Sequence, residues 1–239
     1  IFLRKYNTSH LRGSKVPTAI VTGGAIRIGR AMALHLAGKG FDIALLYHSS
    51  ETTETIAEIQ AQGVQCRGYA ADLRKLDEAE AFIGKVLQDF KNVELLVNSA
   101  ANFIQENIEQ TQVETLVDTL NLNLMAPYLL MREYKRKVNK GLIVNILDER
   151  VARTVPTFAA YSVSKVALQH LTELAAVEWG ETVRVNGIAP GLILPPEGAP
   201  PDYMEKENVR SQGTLDDLLK ALGYLMENKH VNGETLFVT

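Results

Sequence analysis

Seven short apolar runs, set apart by longer helical stretches, constrain this chain more than any other feature. The runs are Thr18–Thr22, Asp42–Tyr47, Val64–Ala70, Val93–Asn98, Leu142–Ile146, Val183–Ile188 and Thr235–Val238, all rich in Val, Ile and Leu. Near-continuous apolar runs of this length suit strands buried on both faces of a parallel sheet. Between them, Leu76, Ala79, Ile83, Val86 and Phe90 follow one helix face, and Val163, Ala167, Leu171, Leu174 and Val177 do the same later. Gly40, Gly63 and Gly180 fall just after helical stretches, where a left-handed closing residue is wanted. This alternation predicts an α/β fold: one doubly wound domain over 16–239, a parallel sheet of about seven strands with helices on both faces.

Composition narrows the function. A hydrophobic fraction of 46% in 239 residues is ample for one core, and a net charge of −3 gives no basic surplus to draw nucleic acid or an anionic membrane. No apolar run approaches the roughly twenty residues that cross a bilayer. Cys66 is the only cysteine, so internal disulfides are excluded and a reducing compartment fits. Residues 1–15 are basic, and the first acidic residue of the chain is Asp42. They read as a short disordered lead-in, a transit-peptide remnant or an expression scar, without a legible function. The expected location is cytoplasmic, with an organellar remnant as the alternative. The histidines are scattered, and no metal site is expected.

Two motifs carry chemistry. Thr22-Gly23-Gly24-Ala25-Ile26-Arg27-Ile28-Gly29 follows the first strand and opens a helix. Glycines there let the chain turn tightly and bring helix N–H groups up to an anion. Tyr161 and Lys165 are four apart, hence neighbours on one helix face. With these in order, the chain resembles the short-chain dehydrogenase/reductase family, a Rossmann-fold family, from Val16 to Thr239. Relatives run a few residues further, which implies that Thr239 is not the native end. Arg27 replaces the family's usual glycine and resembles the pteridine reductase branch. Asp72-Leu73 resembles the family's adenine contact, and Asn98-Ser99-Ala100 resembles its Asn-Asn-Ala-Gly turn with the second asparagine replaced. Asn123 matches its helix asparagine, and Pro190-Gly191-Leu192 its nicotinamide-contacting turn.

The resemblance implies an NADPH-dependent oxidoreductase. Tyr161 or Asp148, directly or through water, then supplies the proton, and a neighbouring Lys165 ammonium is expected to lower the pKa of Tyr161 and to orient the cofactor ribose. Asp148 stands where the general family has a substrate-binding serine. A carboxylate can only accept hydrogen bonds, so it suits the N–H groups of a pterin, or a ring nitrogen once protonated. The other reading of Asp148-Glu149-Arg150 is a capping or solvated charged turn. Phe103 matches the branch's pterin-stacking phenylalanine, or is an ordinary loop aromatic. No acidic residue closes the second strand, so Arg27, Ser49 and Ser50 are expected to receive a 2′-phosphate. Ser49 replaces the arginine common in the branch, and His48 either contacts adenosine or simply ends the strand. The expected substrate is a dihydropterin or dihydrofolate, covered by the loop Pro195–Arg210. A carbonyl reductase of the same family, such as a 3-oxoacyl-acyl-carrier-protein reductase, is the alternative enzyme, and an NADPH-sensing regulator the alternative from another class. The family also implies a homotetramer built through helices Gln112–Lys135 and Ala159–Glu178.

Overall fold

Every residue of the first strand is buried, and the rest of the sheet is built outward from it on both sides. A computed structural model describes residues 16–180, 182–195, 198, 200, 202–203 and 213–239. The basic 1–15 segment and most of the expected Pro195–Arg210 cover lie outside the described residues.

The strands are β1 (Thr18–Thr22), β2 (Asp42–Tyr47), β3 (Cys66–Ala70), β4 (Val93–Asn98), β5 (Gly141–Ile146), β6 (Val183–Pro190) and β7 (Thr235–Val238). They form one seven-stranded sheet in the order β3-β2-β1-β4-β5-β6-β7, all pairs parallel. The helices are α1 (Arg27–Gly38), α2 (Thr53–Ala61), α3 (Leu76–Asp89), α4 (Val113–Leu120), α5 (Ala126–Lys137), α6 (Ala159–Trp179) and α7 (Leu215–Glu227). Side chains alternate between the two sheet faces. Ala19, Val21, Ile43, Leu45, Val97 and Val144 pack with α1 and α7 on one side. Ile20, Ala44, Leu46, Leu96 and Ile143 pack with α3, α5 and α6 on the other. The strand order reverses at β1, so a crevice opens at the carboxyl edge between β1 and β4, where such sheets bind ligands.

Four sequence expectations are corrected. β3 starts at Cys66 rather than Val64, because pairing with β2 begins at Ile43 opposite Cys66. Gly40 and Gly63 are left-handed at φ +88° and +87°, whereas Gly180 has φ −36° and stays right-handed. The stretch 112–135 is not one regular helix. A π-helical turn, Asn121–Met125, separates α4 from α5, and such turns often mark functional positions. In α6 the apolar spacing is not a core face: Val163, Leu174 and Val177 are exposed, and Tyr161, Ser164, Lys165 and Thr172 are buried.

Candidate active site

The turn between β1 and α1 is shaped by contacts that only glycine permits. A Cβ on Gly29 would stand 2.1 Å from the Gly23 carbonyl oxygen, and one on Gly23, at φ +62°, 2.9 Å from Ala100 Cα. Thr22 locks this turn to the end of β4, its Oγ1 accepting the Ser99 and Ala100 N–H groups at 3.0 Å each. No side chain caps α1 and its first turn holds no acid, so its leading N–H groups and positive dipole end face the crevice. Ile28 is half-buried behind the turn. Arg27 takes φ +51°, a conformation costing a non-glycine residue about 1–2 kcal/mol. Its guanidinium donates to the Pro195 carbonyl at 2.8 Å, rather than turning to Ser49 or Ser50.

At the end of β2, His48 and Ser49 are exposed and Ser50 partly so. His48 Nε2 lies 3.8 Å from Asp72 Oδ2. Asp72 is gripped by Arg74 through Nε at 2.9 Å and Nη2 at 2.8 Å, which holds its carboxyl down at about 2. Leu73 is buried beside it. On the opposite wall, Gly191 N–H donates to the Val238 carbonyl at 2.9 Å, tying the Pro190-Gly191-Leu192 turn to β7.

The polar centre of the crevice is buried and almost fully paired. Asn98 donates to Asn145 Oδ1 at 2.8 Å, and Asn145 donates to Thr172 Oγ1 at 2.8 Å, joining β4, β5 and α6. Asn98 Oδ1 is buried without a partner. Asn123, fully buried in the π turn, accepts from Asn102 N–H at 3.0 Å and donates to the Asn102 carbonyl and to Ser164 Oγ at 3.2 Å each. It thereby pins the loop carrying Phe103 to α6. Ser164 Oγ donates in turn to the Tyr161 carbonyl at 2.6 Å.

Asp148 follows β5 and is only 8% exposed, so it is no solvated surface carboxylate. Its Oδ1 caps the 3-10 turn Glu149–Ala152 by accepting from Arg150 N–H at 2.9 Å. Its Oδ2 accepts the Tyr161 hydroxyl at 2.9 Å. The capping reading is therefore realised together with a contact to the tyrosine. Phe103 meets Tyr161 edge-on, with ring centroids 4.8 Å apart.

The expected effect of Lys165 on Tyr161 is corrected. Burial, and then the Asp148 carboxylate, push the Tyr161 phenol well above its ordinary range. Lys165 is buried and donates to the Ile146 carbonyl at 2.6 Å, with its ammonium 5.7 Å from the Tyr161 ring centroid. Burial holds the lysine down to about 8. Tyr161 is thus a protonated donor rather than a phenolate.

Two residues here had no role in the sequence reading. Arg150 bonds both Asp148 oxygens and lies against Phe103 and Phe158, and Phe158 stacks on Phe103 at 4.4 Å. Arginine two residues after the carboxylate was the one available signal for the first. Phe158 was marked only by its place three residues before Tyr161. Among the described residues, no three His, Cys, Asp or Glu side chains are placed to hold a metal ion, and no helix is long and apolar enough to cross a membrane.

A glycine cradle beneath an uncapped helix, facing a buried tyrosine and lysine one turn apart, defines a nucleotide-linked oxidoreductase. The short chain dehydrogenase sequence profile matches residues 17–200, and the chain belongs to that family. It is 28% identical to the 2-dehydro-3-deoxy-D-gluconate 5-dehydrogenase of Escherichia coli, over 92% of each chain. It is 26% identical to a 3-oxoacyl-(acyl-carrier-protein) reductase of Staphylococcus epidermidis, over 92% of this chain and 96% of that one. Among solved structures, the FolM alternative dihydrofolate reductase 1 of Brucella suis, in complex with NADP, superposes with a TM-score of 0.86 at 28% identity, over 92% of each chain.

Proposed function

We propose that this oxidoreductase reduces a C=N bond of a dihydropterin, with dihydrofolate as a related substrate and NADPH as hydride donor. The observation that carries the reading is the buried Asp148 carboxylate holding the Tyr161 hydroxyl at 2.9 Å beside the Phe103 ring. A ketone needs only a donor at this point. A reduced pterin offers N–H groups and ring nitrogens, which a carboxylate and a phenol can bind together.

The residues fit a dinucleotide. Gly23 and Gly29 permit the tight turn that no Cβ would allow, and the N-terminus of α1 it leads into is suited to a pyrophosphate. Lys165 and Asn98 would face the ribose and nicotinamide end, with Pro190, Gly191 and Leu192 on the far wall. Asp72 and Leu73 would flank the adenine. Arg27, Ser49 and Ser50, with no acid among them, favour a 2′-phosphate over a bare ribose hydroxyl. The NADP in the Brucella structure supports the same choice. NADPH, when bound, supplies the hydride.

The protein's own part is the proton. Tyr161 holds it, because burial and Asp148 disfavour the phenolate, and the hydroxyl is fixed by its bond to Oδ2. Handing that proton to a substrate nitrogen leaves a charge that Lys165 partly offsets. Asn123 holds α6 and the Phe103 loop in register through Ser164 and Asn102. Phe103 offers its face to a flat ring.

The assembly proposed with this function is a homotetramer. Val163, Val166, Leu174 and Val177 on α6 and Val113, Leu116 and Val117 on α4 are exposed, an apolar surface of the kind that subunits cover. NADPH oxidation measured side by side with a dihydropterin, dihydrofolate and an acetoacetyl thioester tests the reading. It predicts turnover of the first two well above the third. A preference for the thioester would replace it with carbonyl reduction.

A further inference from the structure

Arg150 is held oddly for an arginine beside a carboxylate. Nη1 alone straddles the two Asp148 oxygens, at 3.1 Å from each. The stronger arrangement is a fork in which two nitrogens meet two oxygens at about 2.7–2.9 Å. Nε is buried without an acceptor. A buried donor left unpaired is unfavourable, so the guanidinium is not placed to satisfy itself. What surrounds it is specific nonetheless. Its central carbon lies 5.2 Å from the Phe103 ring centroid and 4.8 Å from that of Phe158. The two rings stack 19° from parallel, and Tyr161 closes the side. The surroundings are a carboxylate edge and the flank of one stacked aromatic pair, occupied by a flat, cationic N–C–N unit.

We propose that Asp148, Phe103 and Phe158 form a subsite for a flat amidine- or guanidine-like group, and that Arg150 is its internal occupant, which must swing out before a ligand binds. The diamino-substituted N–C–N edge of a pyrimidine is such a group, and the inference goes beyond the function proposed above: it names a ligand class that meets Asp148 by that edge and the residue that competes for it. Arg150 sits on the short 3-10 turn with its side chain 20% exposed, so it reaches solvent by a side-chain rotation without unfolding an element. An occupant that must leave lowers apparent affinity by the fraction of time the subsite is open, so one present nine-tenths of the time weakens binding about tenfold.

The test uses the full chain saturated with NADP and the probe 2,4-diaminopyrimidine, titrated calorimetrically. Because it measures binding alone, it reports on the subsite even if dihydropterin turnover fails. Arg150→Met is expected to bind the probe about tenfold more tightly than the unsubstituted protein. Arg150→Gln, which keeps a polar side chain on the turn, is expected to move the same way and decides the matter if the methionine variant does not fold. Adding Asp148→Asn to either variant should remove the gain. Binding unchanged or weaker in the Arg150 variants would overturn the proposal, because Arg150 would then support the subsite rather than fill it. So would a gain that survives Asp148→Asn.

Discussion

α3 and α6 carry the same apolar spacing and use it in opposite directions. In α3, Ala79, Phe82, Ile83 and Val86 are buried against the sheet, and the polar residues face out. In α6 the buried set is Ala160, Tyr161, Ser164, Lys165, Leu168, Thr172, Ala175 and Ala176, while Val163, Val166, Leu174 and Val177 face out. The inner face of α6 is small and polar because it must lie close to the end of β5, where Tyr161 meets Asp148 and Lys165 meets Ile146. Of the buried polar residues there, Lys165 pairs with the Ile146 carbonyl, Thr172 with the Asn145 amide and Ser164 with Asn123. Leaving one unpaired would cost about 1–3 kcal/mol. Periodicity announces a helix, but on the helix that carries the chemistry the inward face is set by the site. The apolar residues are then left for another surface to cover.

The sharpest way to break this contrast is at the inner face. Tyr161→Phe removes only the hydroxyl, and dihydropterin turnover is expected to fall by about a thousandfold, the scale of losing a positioned acid. Turnover within a few-fold of the unsubstituted enzyme would move the proton to another group.

Lys165 gives the next largest effect. Burial holds it down to about 8 in the folded protein, against 10.5 when exposed. Between those values the unfolded chain binds the proton that the native state has lost, so this residue makes stability rise with pH. Below about 8 both states are protonated and the slope vanishes. Lys165→Met should erase a rise of about 2 kcal/mol between pH 8 and pH 10. Urea denaturation across that range measures it, and parallel profiles for the two proteins would contradict it.

On α3 the same kind of change is structural only. Ile83→Val, in a fully buried stripe, is expected to cost about 0.5–1.5 kcal/mol of stability and leave KM for NADPH unchanged. The smallest effect on the fold should come from the outer face of α6. Val177→Lys, at 88% exposure, is expected to shift unfolding by less than about 0.5 kcal/mol while moving sedimentation toward smaller assemblies. A tetramer that survives the lysine would show that this face is not a contact.

The seven strands were legible because a strand buried on both faces leaves a continuous apolar run. Gly23 and Gly29 were legible because the turn has no room for a Cβ. The carboxylate at 148 stood out as the wrong residue type for its slot. What escaped was three-dimensional. The π turn at Asn121–Met125 is a change of winding within a helical stretch and leaves no compositional mark. Lys165 is four residues from Tyr161 on one helix face, but burial and then the Asp148 carboxylate set the tyrosine, so the expected lowering reversed. Arg150 looked like part of a charged surface turn, and its position between Asp148 and two aromatic rings depends on Phe103 arriving from a distant loop and stacking on Phe158 at the start of α6.

Asp148 is the residue on which pterin reduction rests. Asp148→Ser restores the side chain general to the family and keeps a hydroxyl beside Tyr161, so the fold and NADPH affinity should hold. Steady-state reduction of a dihydropterin by this variant is the direct measurement. Loss of a charge-assisted contact and of the partner that fixes the tyrosine predicts a fall of about a hundredfold in kcat/KM. Dihydropterin turnover that is unchanged in Asp148→Ser would contradict the assignment and leave the carboxylate as a cap on the 3-10 turn.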